Sequence, residues 1–396
     1  MPDSATPTHS AATGPLSGVL VADFSRILAG PYATMLLADL GADVIKVEGP
    51  GGDDTRAWMP PVRGDVSTYY LGINRGKRSI ALDLRDESDA GIARELARRA
   101  GVVIENFRPG GLAKYGLDFE TVRRDNPGVV YTSITGFGSG AGRHVPGYDL
   151  MVQAMSGLMS LTGDPDGPPY RAGISVFDVM AGNHATIGIL AALRHRDATG
   201  EGQLVEVNLL SSALTGLVNH SSAFVAGGTV PYRMGNAHPS VFPYEPLPTA
   251  DNDLIVTAAN DGQFRKLCEV LGIPEVADDP RFARNADRTA NREQLRPLLI
   301  ERLVGRSAND WFELLVDAGV PSGPINTIGG GFAMAERFEL DPVVTVGRGE
   351  RAVPTTRHPI RFSATPATYR LPPPELDEHG TELREWLSKP PEEGHG

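Results

Sequence analysis

Cysteine is almost absent from this 396-residue chain: Cys268 stands alone. That excludes a disulfide within the chain and every Cys-rich metal or iron–sulfur site, and a reducing compartment is expected. Long apolar runs are also missing, none approaching the roughly 18 residues of a membrane span. The opening MPDSATPTHSAATGP has neither the basic start nor the apolar stretch of a secretory signal, so the expected location is cytoplasmic with no membrane partner. Cations are in deficit, 37 Lys+Arg against 49 Asp+Glu, for a formal charge of −12. Non-specific nucleic-acid binding is not expected of such a surface, and an anionic ligand must meet a local basic cluster. The nine histidines show no His-Glu-x-x-His spacing, so no metal site is expected. Gly138-Ser139-Gly140 has the wrong spacing for a serine-hydrolase elbow, and no repeat of about 20–50 residues is visible.

What is present is ordinary for a folded, loop-rich protein: 41% apolar, 22% charged, with 46 glycines and 32 prolines. The length allows two or three domains. Residues 1–15 and 388–396 lack periodicity and are expected to fray. From Gly18 the pattern alternates short β-rich runs with helical spacing. Strands are expected at Gly18–Phe24, Asp43–Glu48, Ser79–Leu84, Val102–Asn106, Val129–Thr135 and Leu204–Asn208. Helices are expected at Pro31–Leu40, Glu87–Arg99, Asp149–Leu161, Val179–His195 and from Leu209 to Val225. Single helices between strands imply a mostly parallel sheet, hence a large Rossmann-like α/β domain over 16–225. A composition shift after Gly227-Gly228 marks a smaller α+β domain over 226–328. The Pro-rich stretch 329–387 is expected to run extended, back onto the large domain or onto a partner chain.

Four features invite chemistry. The glycine-rich Gly136–Gly142 follows a strand but runs into Arg143-His144-Val145-Pro146 instead of opening a helix. It therefore reads as a surface loop able to line a site, not as a dinucleotide fingerprint. Arg75, Lys77, Arg78 and Arg85 bracket one strand and suit either a phosphate-facing patch or solvated edge charges. Asn106-Phe107-Arg108-Pro109-Gly110 sits past the carboxyl end of a strand, where open α/β sheets bind ligands. Asp178 lies in an apolar setting at a helix start. By position alone it reads as an N-cap, a role compatible with a nucleophile whose pKa the helix-terminal N–H groups lower. His238 reads as a turn residue.

Taken in order, Val21–Pro31 (VADFSRILAGP), Leu40–Glu48 (LGADVIKVE), Asn106–Gly110 and Asp178 closely resemble the family III CoA-transferases. Ser67-Thr68-Tyr69-Tyr70, Arg233–Pro239 and Gly319–Asn326 extend the resemblance over roughly 16–387. It implies an interlocked homodimer, no metal and no permanently bound cofactor, with CoA or acyl-CoA as substrate on the large domain. Asp178 matches the family's nucleophile, which passes through an aspartyl mixed anhydride and an aspartyl-CoA thioester. CoA would meet Ile27, Leu28, Leu82, Arg85, Asn106, Phe107, Arg108, Lys114 and Tyr115. Gly49 stands where relatives commonly carry Arg, with Arg56 or Arg75 as substitutes. Gly147-Tyr148-Asp149 lacks the histidine of the racemases that share the fold, although His144 is near in sequence. A racemase and a non-catalytic acyl-CoA binding protein are the competing expectations. Gly52–Arg56, Trp58, Pro60-Pro61 and Leu209–Ser212 most resemble the branch using succinyl-CoA and dicarboxylic acids such as glutarate. Arg171, Arg233 or Asn236 would then meet the distal carboxylate of the acid.

Overall fold

The computed structural model describes residues 13–390. Backbone contacts divide them into two units: one takes in residues up to 157, then 172–228 and 341 onward, and the other takes in 158–171 and 229–340.

The first unit is built on a parallel sheet of six strands. These are β1 (Leu20–Asp23), β2 (Asp43–Glu48), β3 (Lys77–Ala81), β4 (Val102–Glu105), β5 (Val130–Thr135) and β6 (Gln203–Asn208), ordered β3-β2-β1-β4-β5-β6. The expected mixed α/β architecture is present. Four helices matter for the site: α1 (Ala29–Asp39), α2 (Glu87–Arg99), α3 (Asp149–Met155) and α4 (Val176–Thr199). In register, Ala22, Ile45, Val103 and Tyr131 share one face of the sheet and pack with Ala93, Leu96 and Ala97 of α2. Val21, Val44, Val102 and Val130 line the other face, on which α1 and α4 lie. A parallel sheet covered on both faces needs apolar residues at successive positions, which is how β1, β2 and β4 read. Strand order reverses between β1 and β4, so a crevice opens beyond their carboxyl ends.

Helix α4 buries Phe177, Ala181, Ala185, Ile189 and Ala192 at helical spacing and stops at Gly200, whose φ of +81° suits glycine. By length and composition it is the one helix among the described residues able to cross a membrane, although its sequence holds no unbroken apolar run. The core helix of an α/β unit looks the same, and α4 packs on α1, β5 and β6. Gly182 allows that packing: a Cβ there would lie 2.7 Å from the Ala29 carbonyl oxygen.

The second unit has a three-stranded antiparallel sheet, with Asp253–Thr257 between Tyr244–Pro248 and Ser322–Pro324. Its core joins Leu254 and Val256 to Phe264, Leu295, Leu299, Trp311 and Leu315 of neighbouring helices.

Several boundaries move. The helix expected over Asp149–Leu161 breaks at Gly157, and the one from Leu209 breaks before Val218, both at positive φ. Residues Ile328–Arg337 form a helix, not extended chain. After it come the hairpin Val343–Val346/Val353–Thr356, a stretch with little regular structure, and the helix Gly380–Ser388, which packs on α2 and β3. Of the ends expected to fray, residues 1–12 and 391–396 lie outside the described residues. Gly14, in contrast, packs closely on Leu40 and Gly41.

Candidate active site

The crevice rests on buried charge. Asp23 at the end of β1 accepts the Thr34 hydroxyl at 2.6 Å and pairs with Lys77 at 3.2 Å. Burial works against its ionisation, but Lys77 and Lys46 prevail and hold its carboxyl below the usual range. Lys46 pairs with Asp53 and donates to the Ser25 carbonyl at 3.1 Å. Desolvation again opposes, yet Lys46 brings Asp53 down to about 2. Glu48 takes the Arg56 fork at 2.7 and 2.8 Å.

This floor shapes the loop between β1 and α1. Asn106 clamps Arg26 from both sides, accepting its N–H and donating to its carbonyl, each at 2.8 Å. Asp53 accepts the Ile27 N–H at 3.2 Å, although Ile27 is β-branched and sits at φ +68°. That conformation is costly for such a residue and persists because the surroundings over-determine it. The N-terminus of α1 follows, without a side-chain cap or an acidic residue in its first turn.

Two cavities flank the loop. The larger, about 550 Å³, is lined by Ile27, Leu28 and Ala29 after β1, Asn106–Pro109 after β4, the loop after β5, and Asp178. The smaller, about 270 Å³, lies over the ends of β2 and β3, with Gly49, Leu82, Arg85 and Tyr115 in its wall. Arg26 and Phe107 line both. The loop after β5 is cinched at its base: a Cβ on Gly136 would lie 2.4 Å from the Cα of Gly147. Above that pinch Arg143 and Tyr148 line the larger cavity, whereas His144 does not.

Asp178 is the sole carboxylate among the described residues lining the larger cavity, which also presents Arg26, Arg108 and Arg143. It is not an N-cap. Helix α4 starts at Val176, so Asp178 lies within its first turn, and Ser175 is the cap position. Nor is its pKa lowered. Burial first and the Asp149 charge second raise it to about 7. Asp149 is held beside Asp178 by the N–H groups of Phe177 and Asp178, which donate to Asp149 Oδ1 at 2.7 and 3.2 Å. Tyr69 stands close enough to feel the Asp178 charge; burial, then Asp178, push its phenol up, while a hydrogen bond with Ser175 opposes.

Of the residues expected to meet CoA, Ile27, Leu28, Asn106, Phe107 and Arg108 line the larger cavity, and Leu82, Arg85, Phe107 and Tyr115 the smaller. Lys114 lines neither and lies over the Tyr115 ring at 4.7 Å. The basic cluster around β3 is not a patch. Arg75 is buried against Asp39 at 2.6 Å, Lys77 is sealed with Asp23, and Arg78 and Arg85 pair with Asp43 and Asp83. Arg75 and Arg56 are therefore already committed, and neither lines the cavity beside Gly49. In the second unit, Arg233 donates to the carbonyls of Asp164 and Gly167, and the His238 ring lies 5.0 Å from that of Tyr244. Arg26, Tyr69, Arg143 and Asp149 carried no role from sequence. Position was the available signal for Arg26 and Arg143, which flank Ile27 and the glycine-rich loop.

A doubly wound sheet with one carboxylate facing a guanidinium-lined crevice at its strand-order reversal defines an α/β enzyme for anionic substrates. Residues 16–380 match CoA-transferase family III. A succinate–glutarate CoA-transferase of Agrobacterium fabrum is 45% identical over 93% of this chain and 94% of its own length. An acetyl-CoA:oxalate CoA-transferase of Acetobacter aceti is 39% identical over 95% and 97%. The crystal structure of a CAIB/BAIF family protein from Brucella suis superposes with a TM-score of 0.85 at 44% identity, covering 95% of this chain and all of that one. The chain belongs to CoA-transferase family III.

Proposed function

We propose that this enzyme moves CoA from succinyl-CoA to a dicarboxylic acid, with Asp178 as the covalent nucleophile. The observation that carries the reading is Asp178 itself, the sole carboxylate among the described residues lining the larger cavity, in the company of three guanidiniums. The carboxylate oxygen of Asp178 attacks the thioester carbonyl, and the C–S bond breaks to leave a mixed anhydride and CoA thiolate. The thiolate then attacks the Asp178 acyl carbon, giving an aspartyl-CoA thioester and releasing the donor acid. The acceptor carboxylate repeats both steps in reverse and returns Asp178 free. With a pKa of about 7, Asp178 is substantially ionised at neutral pH yet more basic than an exposed aspartate. The uncapped N–H groups opening α1 border the same cavity and suit an oxyanion.

CoA is read as lying across the two cavities, past Phe107 and Arg26, in contact with Ile27, Leu28, Leu82, Arg85, Asn106, Arg108 and Tyr115, with Lys114 at its outer end. Arg26, paired with Asp54, Lys46, paired with Asp53, and Arg85, paired with Asp83, are the cations among the described residues that border the cavity where Gly49 has no side chain. Arg108 and Arg143 have no carboxylate partner among the described residues. The second carboxylate of a dicarboxylic acceptor supplies one, and both relatives described above are named for dicarboxylic acids. The same reading takes the enzyme as an interlocked cytoplasmic homodimer, supported by exposed Ile187, Val218, Phe224 and Val225.

Incubation with succinyl-CoA followed by hydroxylamine or borohydride should modify Asp178. An Asp178→Ala variant retaining exchange would refute the mechanism, and an acceptor screen read by mass spectrometry tests the acid. Light scattering checks the dimer.

A further inference from the structure

Helix α4 takes its cap from a different helix. Ser175, at the cap position, offers its side chain to no backbone N–H. Asp149, at the start of α3 and buried, accepts the N–H groups of Phe177 and Asp178 through one carboxylate oxygen. Its other oxygen accepts from the Gln153 amide. Gln153, fully buried one turn further on, also donates to the Ile174 carbonyl at 3.0 Å and accepts the Ala172 N–H at 2.8 Å. Two side chains at i, i+4 on α3 thus hold four backbone groups over 172–178.

We propose that Asp149 and Gln153 form a bracket that positions Asp178 for acylation, and that the charge of Asp149 favours the acylated over the free carboxylate. Asp149 touches no reacting atom; it acts through the backbone and through its charge. The bracket places the Asp149 carboxylate on the Asp178 N–H and so sets a second negative charge beside the Asp178 anion. Once Asp178 becomes an anhydride or thioester it is neutral, and the repulsion disappears. Burial and Asp149 are the influences that raise Asp178. Tyr69 faces it from the helix Thr68–Ile73, and Arg26, Arg108, Arg143 and Tyr148 share its cavity. Among other elements packed on α4, α1 carries Tyr32 and Asp39, β5 Tyr131 and β6 Glu206, while the helix Leu209–Gly216 has no titratable residue.

The inference rests on Asp178 as nucleophile and is tested in the full-length enzyme with succinyl-CoA. Asp149→Asn keeps an oxygen for the two N–H groups but removes the charge. Its acid limb in kcat against pH should move down by about one unit, and less enzyme should be trapped by hydroxylamine at neutral pH. Gln153→Met keeps the charge and loses the hydrogen bonds. It should lower kcat about tenfold or more, with the KM for succinyl-CoA and the acid limb unchanged. Thermal melting checks that each variant is folded. A pH profile and trapped fraction in Asp149→Asn matching the unmodified enzyme, or an unaltered kcat in Gln153→Met, would overturn the bracket. An unmodified enzyme that labels elsewhere overturns the nucleophile instead.

Discussion

The Lys46 ammonium and the Asp53 carboxylate meet at 2.8 Å with both side chains sealed from solvent. The pair is also a tether, because the Asp53 oxygen that faces Lys46 takes the Ile27 N–H. Asp53→Leu leaves Lys46 buried without its partner, which should cost about 3–5 kcal/mol and raise the KM for succinyl-CoA as the Ile27 turn relaxes. Urea unfolding and donor titration check the two effects. Replacing both partners, Lys46→Met with Asp53→Leu, should recover part of the stability without recovering the KM.

Glu105 is buried beneath the Asn106–Arg108 loop and accepts the Phe107 N–H at 2.7 Å. Desolvation raises its carboxyl to about 7, against hydrogen bonds from Ser133 and Phe107 that oppose the rise. The folded state therefore holds a proton that the unfolded chain releases at lower pH. Stability from this group is present in full below the unfolded pKa and is lost as pH climbs through about 7. Glu105→Gln should match the unmodified enzyme near pH 4 and exceed it by roughly 3 kcal/mol near pH 8 in urea unfolding.

Arg143 lines the larger cavity without a carboxylate partner among the described residues. Arg143→Gln should raise the KM for glutarate about ten- to a hundredfold, equivalent to ~1.5–3 kcal/mol, and leave a monocarboxylic acceptor nearly untouched. Initial rates with paired acceptors of equal length distinguish the outcomes. An equal loss for both acids would remove Arg143 from acceptor selection.

The pinch at Gly136 and Gly147 leaves no space for a methyl group on either residue, since each Cβ would fall within 2.5 Å of the facing Cα. Gly136→Ala should destabilise the protein by about 1–3 kcal/mol in thermal melts. It should also weaken glutarate turnover more than succinyl-CoA binding, because the loop above the pinch carries Arg143.

The architecture was legible because its determinants are local. Apolar strands such as Asp43–Glu48, the Asp86-capped helix Glu87–Arg99 and the glycine stops lie within a few residues of what they specify. The family was legible for the same reason, through contiguous motifs around Ile27 and Asn106. What failed depends on contacts across the chain. Lys77 read as either a phosphate-facing or a solvated edge charge; β3 starts two residues earlier than its apolar pattern suggests, which carries Lys77 under α1 to Asp23, 54 residues away. The ionisation of Asp178 was expected to follow its own helix end, but burial, and after it a carboxylate 29 positions upstream that occupies that end, raise it instead. Nothing in the pattern around Tyr148-Asp149 signals the partner that Asp149 selects.

The absent side chain at Gly182 reaches further than packing. It brings the coil bearing Asp178 flush against the backbone that opens α1 at the wall of the larger cavity. On the proposed mechanism these are the backbone that carries the nucleophile and the backbone that borders the thioester, so a methyl group at this one position would wedge the two halves of the chemistry apart.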